Sequence, residues 1–282
     1  MTTFQQDCTL LEVPGGSQDT TADQVLAGFL ARGAGEILLR LQADAADFNL
    51  TGEKLKAAGD MAAQKFLDAA LTRERPLDSV LSEEAVDTVS RLAADRVWIV
   101  DPLDGTREFS EGRDDWAVHV ALWERGRLVA GAVALPGVGK MIGDGAPLPQ
   151  AAPERTLRIA VSRSRPPEIA SRVAQALGAE LVPMGSAGYK IWAVTTGEVD
   201  AYLHAGGQYE WDSAAPVFAA RGAGMYASRI DGSPLYYNQK SPYLPDLLVC
   251  RAEINDLLLN TIRGANAAIA EQIGTSRDGT LT

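Results

Sequence analysis

The stretch from Trp98 to Thr106 constrains this chain more than any other part of the sequence. It opens on an uncharged apolar run rich in β-branched residues, which is typical of a buried strand. The run ends at Asp101, and Pro102 has no amide hydrogen with which to continue a regular β-ladder. Asp104 follows three residues after the first acid, and Gly105 lets a ligand approach the backbone closely. The sequence therefore predicts a strand that ends in a tight turn carrying two carboxylates.

This turn predicts a site for a metal ion and a phosphate group. The carboxylates of Asp101 and Asp104 and the carbonyl of Leu103 are hard oxygen ligands, which Mg²⁺ prefers together with phosphate oxygens and water. The amides of Gly105 and Thr106 lead into the next segment, where they could bind phosphate as amides at helix N-termini do.

Two other interpretations of the turn have to be weighed. Asp, Pro and Gly are common in ordinary surface turns for conformational reasons alone, so the motif by itself favours that reading. A class of phosphatases carries its nucleophilic aspartate in an Asp-x-Asp-x-Thr run. Here Asp101 and Asp104 are three residues apart, not two, which argues against that class.

The composition is that of a globular protein and limits its function. The chain has 282 residues, of which 46% are hydrophobic and 22% charged, enough for one large domain or two closely packed subdomains. A formal net charge of −11 argues against binding nucleic acid through a basic face. With 37 Asp and Glu against two His, oxygen-ligated metals are favoured over zinc.

Cysteine usage and hydropathy predict a cytoplasmic protein without a membrane partner. Cys8 and Cys250 lie far apart and form no CxxC motif, so two reduced thiols are favoured over a disulfide or a metal clip. No apolar run approaches the ~20 residues that a membrane helix needs. Residues 1–16 lack the basic-then-apolar pattern of a signal peptide.

Residues 1–153 are predicted to form an α+β half. The expected elements are a helix from Thr20 or Thr21 to Leu41, a loop over 43–51, a helix from Gly59 to Leu71, a short strand before Glu83, and a hairpin of Trp116–Trp123 with Leu128–Leu135. Asp60 opens the second helix, where it would be a natural cap. His119 lies inside the hairpin pattern and is interpreted as a structural residue.

Residues 154–282 are predicted to form an α/β half, because strands and helices alternate there. A segment rich in Gly, Pro and Ala, residues 136–153, marks the boundary. The expected strands are Leu157–Val161, Leu181–Pro183, Val199–His204 and Leu247–Cys250, and the expected helices are Pro167–Leu177, Tyr189–Thr196, one that begins at Trp211, and Glu253–Ile262.

Three motifs occur in a specific order along the chain. An acid pair, Glu83-Glu84, follows an apolar run; the Asp-Pro-Leu-Asp-Gly-Thr turn comes next; and Trp-Asp-Ser-Ala-Ala-Pro begins at Trp211. Each is weak alone, since paired surface acids are usually just solvated. Their order and spacing resemble the Mg²⁺-dependent, lithium-sensitive phosphatases of the inositol monophosphatase superfamily, over roughly residues 22–262. The resemblance implies a layered αβαβα sandwich with its active site between the halves.

A further resemblance within this superfamily concerns the second half. Val161-Ser162-Arg163-Ser164 and the stretch from Gly185 to Lys190 resemble the CysQ type, the 3′(2′),5′-bisphosphate nucleotidases. The substrate-binding residues that this resemblance implies are Gly105, Thr106, Ser162, Arg163, Arg165, Gly185, Ser186 and Lys190. The guanidinium groups of Arg163 and Arg165 can fork onto a second phosphate, although an ordinary basic loop is the alternative.

The superfamily resemblance also implies a metal site and its chemistry. The implied ligands are Glu83, Asp101, the Leu103 carbonyl, Asp104 and Asp212, and the implied catalytic residues are Asp60, Thr106 and Glu83. Asp60 and the Thr106 hydroxyl would orient and deprotonate the attacking water. A third, weaker metal would lie near Glu83 and Asp60. Residues 54–60 differ from the family's usual Lys-rich loop, so two or three Mg²⁺ per site remain open.

The expected function is removal of the 3′-phosphate from adenosine 3′,5′-bisphosphate and from 3′-phosphoadenylyl sulfate in sulfur assimilation. Inositol 1-phosphate and fructose 1,6-bisphosphate are alternative substrates, because superfamily members overlap there. A phosphate-binding regulatory protein is the non-enzymatic alternative. Tyr189, Trp192, Tyr202 and Tyr209 could stack on a base, but core aromatics at such spacing are commoner. The resemblance further implies a homodimer.

Overall fold

Two five-stranded β-sheets form the framework of the protein within residues 20–143 and 155–278, which the computed structural model describes. The strands of the first sheet, in spatial order, are β1 (Ser79–Ser82), β2 (Arg96–Asp104), β3 (Ala117–Glu124), β4 (Arg127–Leu135) and β5 (Lys140–Ile142). β1 pairs in parallel with β2, and the remaining pairs are antiparallel. The predicted hairpin is β3 and β4.

The second sheet has the spatial order β7-β6-β8-β10-β9. Its strands are β6 (Arg158–Ser162), β7 (Glu180–Met184), β8 (Ala201–Tyr209), β9 (Tyr226–Ser228) and β10 (Tyr243–Cys250). β6 runs parallel to both β7 and β8, whereas β10 is antiparallel to β8 and β9. The carboxyl ends of the parallel strands, which commonly carry ligand sites in α/β sheets, therefore lie together at one edge.

Helices cover both sheets and fill the space between them. They are α1 (Thr20–Asp44), α2 (Glu53–Glu74), α3 (Thr106–Ser110), α4 (Glu168–Leu177), α5 (Ala187–Thr195), α6 (Glu210–Gly222) and α7 (Asn255–Asp278). α1 and α2 pack on the outer face of the first sheet, and α4 and α7 on the second. α5 and α6 contact both sheets and share one apolar core with them. This arrangement is the αβαβα sandwich that was predicted.

The start of α2 corrects one prediction. The helix begins at Glu53, after Gly52 with its left-handed φ of 52°, and not near Gly59. Asp60 is therefore an interior helical residue, and the interpretation of it as a cap is wrong. Gly59 is retained inside the helix because a Cβ there would come within 2.9 Å of Leu103 and Phe109. The glycine permits close packing and does not break the helix.

The turn after Val100 forms as predicted, with one addition. β2 continues through Pro102 to Asp104, but its register against β3 shifts between Asp101 and Asp104. This bulge accommodates Pro102, which cannot donate to a regular ladder. The bulge aims the two acids toward one side of the strand end.

Several smaller predictions can also be located. Cys250 is a buried free thiol, and burial raises its pKa to about 12, as expected of a structural cysteine. Within the described parts of the chain, no helix combines the length and apolar character that a membrane crossing requires. Cys8, residues 1–16 and the predicted boundary near Pro153 lie outside the described residues. The division into halves at residues 153 and 154 stays a prediction.

Candidate active site

A cavity of about 340 Å³ lies where the ends of β2, β6 and β8 meet the starts of α3, α5 and α6. All but one of the predicted site residues line it: Glu83, Asp101, Leu103, Asp104, Gly105, Thr106, Ser162, Arg163, Arg165, Gly185, Ser186, Lys190 and Asp212. The exception is Asp60. Residues from both sheets therefore contribute to one cavity.

Three carboxylates form the centre of this cavity. Asp101, Asp104 and Asp212 each offer an oxygen, and these three oxygens lie within 4.8 Å of one another. The β2 bulge brings the first two together. Asp212 comes from the first turn of α6, where its Oδ2 accepts the Tyr209 amide at 2.7 Å. We call this group the acid cluster.

The carboxylates of the acid cluster accept fewer hydrogen bonds than buried charged groups usually do. Asp101 Oδ1 accepts the Leu103 amide at 3.0 Å, whereas its Oδ2 is buried and has no hydrogen-bond partner among the described residues. Asp104 Oδ2 accepts the Gly188 amide at 2.9 Å and lies 3.3 Å from Nε2 of His119. His119 is fully buried, and its Nδ1 lies 3.1 Å from the Trp211 carbonyl, so it acts as a structural support as predicted.

Electrostatics indicate that the acid cluster is built for a cation. Burial, followed by the charges of neighbouring carboxylates, raises the pKa values of Asp101 and Asp212 well above their usual range. Buried acids without a counter-charge are costly, and an orphaned oxygen adds to that cost. Crowded carboxylates beside the Leu103 carbonyl are the hard ligands that a divalent cation such as Mg²⁺ takes. The residues present fit a metal ion.

The part of the turn that was predicted to bind phosphate is tightly packed. Gly105 has a left-handed φ of 92°, and a Cβ there would lie 3.2 Å from Ser186 and Trp116. Only glycine suits this position, which sits directly before α3. The Thr106 hydroxyl donates to the Leu103 carbonyl at 3.3 Å and thereby fixes the predicted carbonyl ligand.

Glu83 and Asp60 lie outside the acid cluster. Glu83 follows β1 at the cavity rim, and burial of its carboxylate, then the charges of Asp104 and Glu84, raises its pKa to about 7. Asp60 lies on α2 in a neighbouring surface depression with Glu84. Burial and then the Glu84 charge raise the Asp60 pKa to about 7, against a smaller effect of Lys56. Without metal, both carboxyl groups therefore titrate near neutral pH.

The second-half residues line the cavity, but some of their polar groups are already engaged. Arg163 donates to Glu108 at 2.9 Å and to Glu111 at 2.7 Å, so its guanidinium connects β6 to α3 and the residue that follows α3. Arg165 is exposed, and its amide donates to the Ser162 hydroxyl at 3.3 Å. The predicted fork of Arg163 onto a phosphate competes with these ion pairs.

Lys190 and the start of α5 form another part of the wall. The Lys190 ammonium is buried and donates to the carbonyls of Gly185 and Ser186, the latter at 2.8 Å, and lies 5.1 Å above the Tyr202 ring. Burial lowers its pKa to about 8. The Ser186 hydroxyl caps α5 by accepting the Tyr189 amide at 2.9 Å. A Cβ at Gly185 would overlap the Asp115 carbonyl at 2.3 Å, so this backbone also requires glycine.

Sequence reasoning missed several residues of the cavity. Glu108 lines it and binds Arg163, and His204 and Gln208 line it from β8. The available signal was a polar residue at alternate positions of an otherwise apolar strand, Tyr202 and His204, which indicates a strand face turned toward a site. Among the aromatic residues considered for stacking, Tyr202 lines this cavity.

The fold and the acid cluster define the class of protein, and the sequence agrees: the chain belongs to the inositol monophosphatase family, whose family model matches residues 23–266. Among individual relatives, it is 54% identical over 245 residues to the 3′-phosphoadenosine 5′-phosphate phosphatase of Mycobacterium bovis, covering 82% of this chain and 90% of the relative. The Mycobacterium leprae protein of the same name is 51% identical over 260 residues, covering 87% and 95%.

A solved structure of the same family has the same fold. CysQ from Bacteroides thetaiotaomicron, a bacterial member of the inositol monophosphatase family, superposes with a TM-score of 0.71 at 27% identity, covering 82% of this chain and 97% of that one. The predicted family, CysQ resemblance and fold are confirmed.

Proposed function

We propose that this protein is a Mg²⁺-dependent phosphatase that removes the 3′-phosphate of adenosine 3′,5′-bisphosphate and leaves adenosine 5′-monophosphate. The observation that carries the chemistry is the acid cluster of Asp101, Asp104 and Asp212, opening into a cavity beside phosphate-binding amides. The substrate follows from the identity to mycobacterial phosphatases named for that nucleotide.

The residues fit two metal positions. Glu83, Asp101 and the Leu103 carbonyl would hold one Mg²⁺, and Asp101, Asp104 and Asp212 a second. A third, weaker Mg²⁺ would lie near Glu83 and Asp60. Bound Mg²⁺ neutralises phosphate charge and makes water a better nucleophile at neutral pH.

The protein's own groups position the substrate and move protons. The amides of Gly105 and Thr106 would donate to the oxygens of the 3′-phosphate. The Thr106 hydroxyl, anchored on the Leu103 carbonyl, would accept a hydrogen bond from the attacking water and orient it. The carboxylate of Asp60, whose pKa is raised to about 7, would take up the proton that this water loses, while Glu83 would act as a metal ligand. No covalent intermediate with a protein side chain is required.

The rest of the cavity would hold the nucleotide. The guanidinium of Arg165, at the exposed rim, is free to meet the 5′-phosphate. The buried Lys190 contributes positive charge to the same wall while its N–H groups remain on backbone carbonyls. The sulfated nucleotide 3′-phosphoadenylyl sulfate carries the same 3′-phosphate, and we propose it as a second substrate.

We also propose a cellular compartment and an oligomeric state for the enzyme. A phosphatase for these nucleotides would act in the cytoplasm, where sulfur assimilation produces them, and as the homodimer that the resemblance implies. Light scattering of the purified protein gives the oligomeric state directly. A monomeric mass would contradict the proposed homodimer but would leave the proposed reaction unaffected.

Product analysis tests the reaction. Purified protein is incubated with adenosine 3′,5′-bisphosphate and Mg²⁺, and the nucleotide product is separated by chromatography. We expect adenosine 5′-monophosphate and one equivalent of phosphate. The Asp104→Asn variant should lose turnover by roughly 100-fold or more, since it exchanges a charged metal ligand for a neutral one. Absence of phosphate release from the wild-type protein would contradict the assignment.

A further inference from the structure

Buried hydrogen bonds outside the cavity hold the helix that carries Asp212. They begin at Glu210, the first residue of α6, which is 1% exposed and does not line the cavity. Its Oε2 accepts the Asn238 amide at 2.5 Å, and its Oε1 accepts the Gln239 amide at 2.8 Å. Both amides belong to residues 237–242, an irregular segment between β9 and β10 that we call the brace.

The brace holds the first turn of α6 at further points. The Glu210 amide donates to the Pro242 carbonyl at 2.8 Å. The hydroxyls of Ser213 and Tyr237 lie 3.2 Å apart, and both side chains are buried. Groups on either side of Asp212 are therefore bonded to the brace. These bonds restrict the movement of the backbone that carries the Asp212 carboxylate.

Arg91 anchors the brace on the other side. Its guanidinium is 1% exposed and donates to Asn238 Oδ1 at 2.6 Å and to the Gln239 carbonyl at 2.8 Å. Its remaining hydrogen bonds go to the Asp87 carboxylate at 2.7 and 3.0 Å. Arg91 lies in the segment between β1 and β2, which starts at Glu83. The brace thus ties the segment that follows β1 to the first turn of α6.

The charges of this network indicate that it fixes geometry. Glu210 has an amide on each carboxylate oxygen, and Arg91 has a partner on each of its three guanidinium nitrogens. Buried charged networks are weak evidence for stability, because desolvation offsets much of the attraction. Their hydrogen bonds do hold the groups in one arrangement. Mg²⁺ demands near-ideal octahedral geometry, and residues that orient its ligands affect its affinity.

We propose that Glu210 is a positioning residue for Asp212, which acts through the brace and thereby sets the affinity of the acid cluster for Mg²⁺. Asn238 and Arg91 complete the arrangement by fixing the brace to the rest of the protein. Glu210 contacts neither metal nor substrate in this proposal. The inference rests on the proposed function, because it takes the acid cluster to bind Mg²⁺.

Metal binding to the full-length protein without substrate tests the role of the brace. Mn²⁺ suits the same oxygen ligands as Mg²⁺, and electron paramagnetic resonance measures the free ion in a titration. In Glu210→Gln, an NH₂ group replaces one acceptor and faces a backbone amide. We expect the Kd of Mn²⁺ to rise roughly tenfold, as when other residues that orient metal ligands are replaced.

A second variant separates position from charge. Asn238→Gly changes no charge, and glycine readily adopts the left-handed φ of 58° found at this position. It removes the bonds to Arg91 but keeps the amide that Glu210 accepts. Its Kd for Mn²⁺ should lie between those of wild type and Glu210→Gln. A Kd equal to that of wild type would contradict an effect through the position of the brace.

Asp200→Asn is the matched control. Asp200 is 2% exposed, accepts the Arg158 amide at 2.8 Å and pairs with Arg155, but it does not line the cavity. The substitution also exchanges a buried carboxylate for an amide, so it should lower Tm without changing the Kd of Mn²⁺. If Kd rises equally in Asp200→Asn and Glu210→Gln, the brace only stabilises the fold and the proposal is wrong.

Kinetics complete the test. At saturating Mg²⁺, the KM of Glu210→Gln for adenosine 3′,5′-bisphosphate should match that of wild type, while half-maximal activity should need more Mg²⁺. A raised KM with an unchanged Kd for Mn²⁺ would overturn the proposal. A wild-type protein that binds Mn²⁺ while both brace variants keep its Kd would reject the brace alone. A wild-type protein that binds no Mn²⁺ would reject the metal site of the proposed function, and the role of the brace with it.

Discussion

The carboxylates of Asp101, Asp104 and Asp212 are held closer together than their charges favour. An orphaned oxygen on Asp101 and the raised pKa values of Asp101 and Asp212 are two signs of the same crowding. In the absence of metal, Asp101 and Asp212 hold protons at pH values where the same residues would release them in an unfolded chain. Metal binding and proton release are therefore coupled at individual residues.

This coupling predicts how stability depends on pH without metal. Because the folded-state pKa values are raised, the folded protein binds more protons than the unfolded chain between the ordinary carboxylate pKa and the raised values. For Glu83 that window runs from 4.5 to about 7. The Tm of the metal-free protein should therefore fall as the pH rises from about 5 to about 7.5, and Mg²⁺ should reverse the loss. Scanning calorimetry in EDTA and in Mg²⁺ measures both effects.

The control for this prediction is Asp212→Asn. It removes one of the mutually repelling charges while an amide oxygen can still accept the Tyr209 amide. Its metal-free Tm should depend less steeply on pH than that of wild type. The comparison cancels other groups, such as His204, whose lowered pKa acts in the opposite direction. Identical slopes in the two proteins would show that the acid cluster carries none of the effect.

Among the elements, α3 and β6 are linked by the side chain of Arg163. Arg163 directly follows β6 and donates to Glu108 of α3 and to Glu111, the residue after that helix. Glu108 itself lines the cavity, so the ion pair with Arg163 offsets its negative charge at the place where we propose that a phosphate binds. This contact makes Arg163 a positioning residue for the turn. The pattern of residues around Ser162 predicted its location but not its partner, because the partner lies 55 residues away.

The ion pairs of Arg163 with Glu108 and Glu111 predict how the Arg163→Ala substitution changes KM. Removing the guanidinium leaves Glu108 uncompensated beside the phosphate, which repels any phosphate ester. KM should rise by a similar factor, about fivefold, for adenosine 3′,5′-bisphosphate and for inositol 1-phosphate, as expected for ~1 kcal/mol. The double variant Arg163→Ala/Glu108→Gln should recover most of the loss. A rise in KM for the bisphosphate alone would instead support the direct phosphate fork.

The contact between α2 and the turn at Leu103 yields a second prediction about how the elements pack. In Gly59→Ala, the new Cβ meets Leu103 and Phe109 at 2.9 Å, and overpacking of this kind costs ~1–3 kcal/mol. Gly264→Ala on α7 is the matched control, because a Cβ at Gly264 has no neighbour within 4 Å in the described part of the chain. There the better helix propensity should stabilise the protein by up to ~1 kcal/mol. Thermal unfolding of both variants checks the prediction, and equal shifts in Tm would contradict it.

Local patterns allowed prediction of most elements but not of all their contacts. The turn after Val100, the β3-β4 hairpin and the α5 cap are determined by residues near one another in sequence, so they could be predicted. The predicted start of α2 was wrong because glycine usually disfavours a helix interior, so Gly59 indicated a helix end. Its close approach to Leu103 is a tertiary contact that no local pattern contains.

At the scale of the whole molecule, the active site forms because both sheets pack against the layer made by α5 and α6. The acid cluster joins Asp101 and Asp104 to Asp212, more than a hundred residues later, through helices that pack on both sheets. Order and spacing of motifs predicted this assembly through the family resemblance. The contribution of His204 and Gln208 to the cavity was not predicted, since it depends on which face of β8 borders the cavity.

The most direct test of the proposed activity is a parallel measurement of kcat/KM for adenosine 3′,5′-bisphosphate, inositol 1-phosphate and fructose 1,6-bisphosphate with Mg²⁺ titrated. The acid cluster predicts that turnover on any of them requires Mg²⁺, and the second-half cavity predicts a preference for the nucleotide of at least 100-fold. A preference for inositol 1-phosphate would keep the metal chemistry but contradict the nucleotide assignment. Saturable Mg²⁺ binding without turnover on any of the three would make this a phosphate-binding protein.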